Sequence, residues 1–237
     1  MKPLQTYYPF GPPIGHAVLP KELINDFNRG CDDIVKDKEL SKSEDYSHAL
    51  VGQVEQELLI PKDIINKWGQ WFATQIKTYL TQYFHQIYVP EQNIIGAPLE
   101  QALQNVSRIQ SNVLSAWYIR SFAGDFNPIH THTGSELTCV GFLKVPDLSN
   151  ERVKPGSSSL IRKYSPSGHL EILSSIGVTN SFFENDRIGF VPKVGNWYLF
   201  PANLRHVVYP FKCDGERRSF SINMNTNMFK SAYAQNI

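Results

Sequence analysis

VGNWYLFPANLRHVVYPFKCDGERRSFSINMN, residues 194–225, contains three strand-like runs separated by turn residues. Gly195-Asn196 opens the first run, NWYLFP, and Pro201 closes it. HVVYPF follows, and Asp214-Gly215 then offers a turn into RRSFSINMN. Short aromatic and β-branched runs bounded by Gly, Pro, Asn and Asp read as antiparallel strands. In the last run Arg217, Ser219, Ser221 and Asn223 are two apart, so on a strand all four face one side. Upstream, the same texture appears in VLSAWYIRSF, ELTCVGFLKV, SLIRKY, HLEILSS and RIGFVP. Eight short strands with turn signals between them predict a jelly roll or barrel from about residue 111 to 228.

Before residue 110 the pattern is helical. Leu23, Ile24, Phe27, Cys31 and Ile34 recur at three- and four-residue spacings, with Pro20 near the start. A second helix is expected from Pro61, its stripe running through Trp68, Phe72, Ile76, Leu80 and Phe84. Such an aromatic stripe reads as packing against a sheet. The polar run 37–57 reads as a loop or weak helix. The expected organisation is one domain over 1–237, with 1–110 as mainly helical support and 111–228 as the β core.

Composition narrows the function. Lys and Arg total 23 against 22 Asp and Glu, a net charge of +1, which disfavours a global grip on nucleic acid. No run approaches the roughly 18 apolar residues of a membrane span, and prolines near the N-terminus interrupt any signal-like apolar run. Cys31, Cys139 and Cys213 are far apart and odd in number, which suits a cytoplasmic location.

The chemistry concentrates in GDFNPIHTHTGSEL, residues 124–137. His130 and His132 are two apart, so on an extended strand their imidazoles share a side and can converge on one ion. Thr133-Gly134-Ser135 would allow a turn returning Glu136 to the same point. His206 begins the strand after Pro201, and in a closed antiparallel barrel it can face the first pair. Trp117, Tyr118, Arg120 and Phe122 lie on the preceding strand, Trp117 with opposite parity to the others. For these, and for Asn127 and Lys144, packing or solvation is the simpler expectation. His16, His48, His85 and His169 have no partner pattern. Residues 146–158 and 174–187 are long enough to act as substrate lids or plain connections.

Gly124, His130, His132 and Glu136, followed by Gly195, Pro201 and His206, resemble the two metal-binding motifs of the cupin superfamily. More specifically, Phe200-Pro201, His206 and Val208, with Arg217 and Ser219 about a dozen residues on, resemble the Fe(II)- and 2-oxoglutarate-dependent oxygenases. The resemblance covers roughly residues 115–225. It implies a double-stranded β-helix, a jelly-roll or cupin-like barrel, supported by helices on one face. It also implies a non-haem iron hydroxylase using Fe(II), 2-oxoglutarate and dioxygen on a peptide or small-molecule substrate. By the same resemblance, Arg217 would bind the distal carboxylate of 2-oxoglutarate with Ser219 beside it. A guanidinium suits that task as a planar bidentate fork. Arg218, of opposite parity, reads as an outward solvated charge.

One position departs from the family pattern, where the first motif is H-x-D or H-x-E and this chain has His132. Iron could sit on His130, His132 and His206. The acid could be displaced to Glu136, giving two histidines and a carboxylate. Or all four could ligate, which leaves too few positions for a keto acid and dioxygen. Parity and reach favour the first, with Glu136 accepting from a histidine N–H. Two other classes compete: a cupin-type isomerase or dioxygenase that uses no keto acid, and a non-catalytic metal-binding barrel. An inward Arg217 separates the oxygenase from both.

Overall fold

A computed structural model of the protein describes residues 12–87, 99–149, 151, 166–173 and 187–226. The expected strand SLIRKY and most of both expected lid segments lie outside the described residues. In chain order the elements are β1 (Gly15–Val18), α1 (Lys21–Lys36), α2 (Lys38–Ser43), β2 (Gln56–Leu59), α3 (Lys62–Ile87), α4 (Leu99–Ser107), β3 (Ser111–Ser121), β4 (Asn127–His130), β5 (Leu137–Lys144), β6 (Leu170–Leu173), β7 (Arg187–Phe190), β8 (Asn196–Pro201), β9 (His206–Val208) and β10 (Arg217–Thr226).

The strands form two antiparallel sheets, a six-stranded one ordered β1-β8-β5-β10-β3-β2 and a four-stranded one ordered β4-β9-β6-β7. This is the double-stranded β-helix that the resemblance implied, and it agrees with the jelly roll read from the strand pattern. The N-terminal half is less purely helical than its periodicity implied. β1 pairs with β8, and β2, which begins at the end of the run read as a loop or weak helix, pairs with β3. Each of these edge strands is four residues long, too short to carry an alternation signal.

The two anticipated helices cover the outer face of the larger sheet. Leu23, Phe27, Cys31 and Ile34 of α1 are buried, as are Phe72, Ile76, Leu80 and Phe84 of α3. They share one core cluster with Tyr118, Trp197 and Phe220 of the sheet. Phe27 lies tilted 4.7 Å from Phe220, and Trp71 lies edge-on to Trp197 at 5.2 Å. Close approach at this layer depends on Gly141, where an added Cβ would lie 2.2 Å from Phe220 Cε1. A second, smaller cluster fills the space between the sheets through Val140, Phe142, Leu170, Ile172 and Phe200.

β10 lies between β3 and β5, which pair both its edges, and its residues are buried on both faces from Arg217 to Ile222. That placement overturns the solvated reading of Arg218, which is 1% exposed. Its parity is opposite to Arg217 as expected, but the opposite face meets α1 rather than water. The guanidinium donates to both Glu216 carboxylate oxygens at 2.8 and 3.0 Å and to the Asn28 carbonyl at 3.2 Å, and it pairs with Asp32 at 2.8 Å. Arg120 and Lys144 join Glu216 on the same outer side, at 2.7 and 3.5 Å. Removing one member of a buried ion pair leaves its partner desolvated and unpaired. Arg218→Ala should therefore cost about 3–5 kcal/mol of unfolding free energy, read from urea denaturation; a loss below 1 kcal/mol would return Arg218 to the solvated class.

Candidate metal and keto-acid site

His130 ends β4 and His206 begins β9, and the two are directly paired across the smaller sheet. His132 follows two residues after β4, outside any strand, anchored by its backbone N–H donating to the Ala202 carbonyl at 2.9 Å. The shared-strand geometry expected of the first pair is thus replaced by a strand end and a loop, yet the rings still converge. Ring centroids are 5.1 Å apart for His130–His132, 4.2 Å for His130–His206 and 5.0 Å for His132–His206. One nitrogen from each lies within 4.8 Å of the other two, an arrangement that could hold a metal ion.

The backbone orients two of the rings. Nδ1 of His130 is 2.7 Å from the Pro128 carbonyl, and Nδ1 of His206 is 2.9 Å from the Leu204 carbonyl. An N–H donated to each carbonyl fixes the tautomer and leaves the Nε2 lone pair facing the cluster. Nε2 of His132 and Nε2 of His206 are 3.2 Å apart. Two nitrogens bound at right angles to one ion, each about 2 Å from it, would be about 3 Å apart. Burial holds all three imidazoles below the ordinary histidine range, His132 to about 4 and His206 to about 3, with repulsion from neighbouring histidines adding to it for these two. They are therefore neutral near pH 7, as metal ligation requires. Trp117 packs 5.7 Å from His132, and Phe200 lies edge-on to His206 at 5.1 Å.

Glu136 is not brought to this cluster. The turn at Gly134, with φ +81°, does form, but the carboxylate swings to the end of β10. There it accepts from the Thr226 backbone N–H at 2.6 Å and the Thr226 hydroxyl at 2.8 Å. The acceptors for the His130 and His206 N–H groups are backbone carbonyls instead.

The histidines open into a cavity of about 360 Å³ that Arg217, Ser219, Ser221 and Asn223 also line, as their shared parity requires. Arg217 is 1% exposed and has no carboxylate within ion-pair distance among the described residues. Nη1 donates to the Gly168 carbonyl and Nη2 to the Ser121 hydroxyl, both at 3.0 Å, while Nε has no partner among the described residues. Burial lowers its pKa to about 10, with Asp125 opposing the shift. A buried guanidinium with neutral partners and one orphaned N–H is a site prepared for an anion. Of the second-tier residues, Trp117 and Asn127 line the cavity, whereas Tyr118, Arg120 and Lys144 lie on the outer side. Ser121 and Glu57 were not singled out from sequence; Ser121 was findable as the residue of Trp117's parity that falls opposite Arg217.

Residues 115–223 match the family model of the 2OG-Fe(II) oxygenases. Over those residues, just under half of its length, the chain is similar to that family. The oxygenase reading, whose cofactor set is Fe(II), 2-oxoglutarate and dioxygen, prevails over a cupin enzyme without a keto acid. No curated protein sequence matches the chain. Among solved structures it resembles a prolyl-4-hydroxylase from Pseudomonas putida, at 12% identity and a TM-score of 0.50 over 90% of this chain and 91% of that one. It also resembles a prolyl hydroxylase from Trichoplax adhaerens in complex with a hypoxia-inducible factor peptide fragment, at 9% identity and a TM-score of 0.52 over 94% of this chain and 87% of that one. At such identities the likeness shows the shared fold. Among the described residues, no helix is long and apolar enough to cross a membrane.

Because its carboxylate is committed to Thr226, Glu136→Gln should leave iron content per chain unchanged by elemental analysis. It should lower stability by about 1–3 kcal/mol through the weakened charge-assisted bonds. Loss of iron with full stability would make Glu136 a ligand.

Proposed function

We propose that His130, His132 and His206 hold Fe(II) through their Nε2 atoms. Arg217 takes the distal carboxylate of 2-oxoglutarate, with Ser219 beside it and Ser121 steadying the guanidinium. The observation that carries this reading is the paired placement of His130 and His206 across β4 and β9, with the His132 ring nitrogen 3.2 Å from that of His206. When bound, Fe(II) and 2-oxoglutarate supply the activation of dioxygen, with the keto acid decarboxylated to succinate and a substrate C–H hydroxylated. The protein's own part is to present three neutral imidazoles, two of them with tautomers fixed by backbone carbonyls, and to clamp the keto acid's far end. Trp117 and Phe200 keep the histidine rings packed and water away from them.

The substrate in this proposal is a peptide or small molecule rather than nucleic acid; a cavity of about 360 Å³ suits either a side chain or a metabolite. The chain works as a single domain, 1–110 supporting a catalytic core at 111–228, which the pairing of β1 and β2 with the larger sheet supports. A cytoplasmic location is supported by three free cysteines, two of them buried.

Anaerobic titration of the Fe(II) protein with 2-oxoglutarate should develop the weak visible charge-transfer band of the chelate. His206→Ala should lose bound iron, because two ligands hold a labile divalent ion poorly. His85→Ala, on an exposed position of α3, should keep it. Equal iron in both variants would remove the three-histidine site.

Arg217→Ala should keep its iron but raise the half-saturation concentration for 2-oxoglutarate by about 30-fold or more, the equivalent of roughly 2 kcal/mol for a lost charge-assisted contact. Unchanged keto-acid affinity would move the co-substrate away from Arg217.

A further inference from the structure

The cavity holds a second buried charged side chain that the iron and keto-acid assignments leave without a task. Glu57 of β2 lines it and is 1% exposed. One carboxylate oxygen receives the Asn127 amide, and the other, Oε2, has no partner among the described residues. The pair bridges the two sheets, since Glu57 stands on the larger and Asn127 on the smaller, three residues before His130. Gly52 lies against them so closely that an added Cβ would come within 2.8 Å of both Asn127 Nδ2 and Glu57 Oε1. The backbone is therefore built around this pair.

Its position separates it from the keto-acid end. Glu57 pairs with Ile119, and Ile119 pairs with Ser219, so the three form a row across β2, β3 and β10. Strands in a sheet are about 4.8 Å apart, which puts the Glu57 backbone about 10 Å from that of Ser219, with Arg217 further along its strand. The charge acting on Glu57 is Asp45, which repels, and the charge acting on Arg217 is Asp125. Neither the cation nor the acid of the cavity neutralises the other. Burial raises the Glu57 carboxyl to about 7, so the empty site disfavours the carboxylate and an arriving cation would favour its ionised form. Arg217 is the cavity's one lining Lys or Arg among the described residues.

We propose that Glu57, held by Asn127, is a substrate-recognition residue that accepts the cationic nitrogen of the substrate, an ammonium or guanidinium group. This rests on the oxygenase reading for the identity of the cavity and extends it to the class of substrate. A carboxylate with a single amide donor is under-compensated in a dry site, and a charged N–H donor supplies what the protein withholds. An acid alone at the substrate end also disfavours a second anionic ligand there.

The test uses the full chain loaded anaerobically with Fe(II) and 2-oxoglutarate. Its probes are n-butylammonium and its neutral isostere n-butanol, titrated by ligand-observed NMR. Wild type should bind n-butylammonium about ten-fold or more tightly than n-butanol. Glu57→Gln and Glu57→Leu should each bind the two equally, with the 2-oxoglutarate charge-transfer band as the record that each variant is folded and loaded. No preference in wild type, or a preference retained in either loaded variant, would overturn the proposal. A preference that depends on Glu57 in a protein that never forms the band would instead uphold the cation site and sink the keto-acid reading.

Discussion

Two adjacent arginines on one central strand set the terms for the rest of the molecule. β10 is covered on both faces, so Arg217 and Arg218 are both 1% exposed and point to opposite sides. Burying a guanidinium costs several kcal/mol unless partners replace its water. Arg218 meets that cost within the fold, through Glu216, Asp32 and Asn28. Arg217 receives only a carbonyl and a hydroxyl. The same strand thus carries one cation that holds α1 to the sheet and one left for a ligand. The helical layer is needed for both, because it supplies the outer partners and the apolar cover that dries the strand.

The inward face of that strand was legible in the sequence because side-chain period is a property of the strand alone. Arg217, Ser219, Ser221 and Asn223 alternate, and they line one cavity. What alternation cannot reveal is whether the other face meets water or a helix, and Arg218 was misplaced for that reason. The turn residues located His206, since Pro201 and Gly195 bound β8 so closely that little freedom remained for where β9 begins. Glu136 shows the converse. A turn at Gly134 returns the chain as expected, but the rotamer and partner of the carboxylate depend on Thr226, ninety residues later and outside any local pattern.

The short N-terminal strands were hidden for another physical reason. GHAV and QELL have burial patterns that follow from the strand beside them, not from their own composition. QELL sits in a charged stretch, so Glu57 reads as one more solvated acid until β2 is docked on β3. Docking turns it inward beside Ile119. A residue's own neighbours in sequence said surface, and its neighbours in the sheet say cavity.

The exchange of an acid for His132 then alters the charge of the proposed site more than its reach. Burial keeps all three imidazoles neutral, so they bring ligand atoms and no counter-charge. A carboxylate at that position would neutralise half of a divalent ion's charge before any keto acid arrived. With His132 in the proposed site, the whole charge would be left to the co-substrate's own carboxylate, and Arg217 would take the other one. Attraction for anions is in this way concentrated on the ion and on one end of the cavity. Such a field, unscreened in a dry site, would extend toward the substrate as well. Glu57, about 10 Å across the sheet from Ser219, has the sign that opposes it. In the proposed site, the two departures from a simple pattern, a histidine where an acid is usual and an acid where no metal needs one, would be parts of one electrostatic arrangement: no carboxylate on the ion and one at the substrate end.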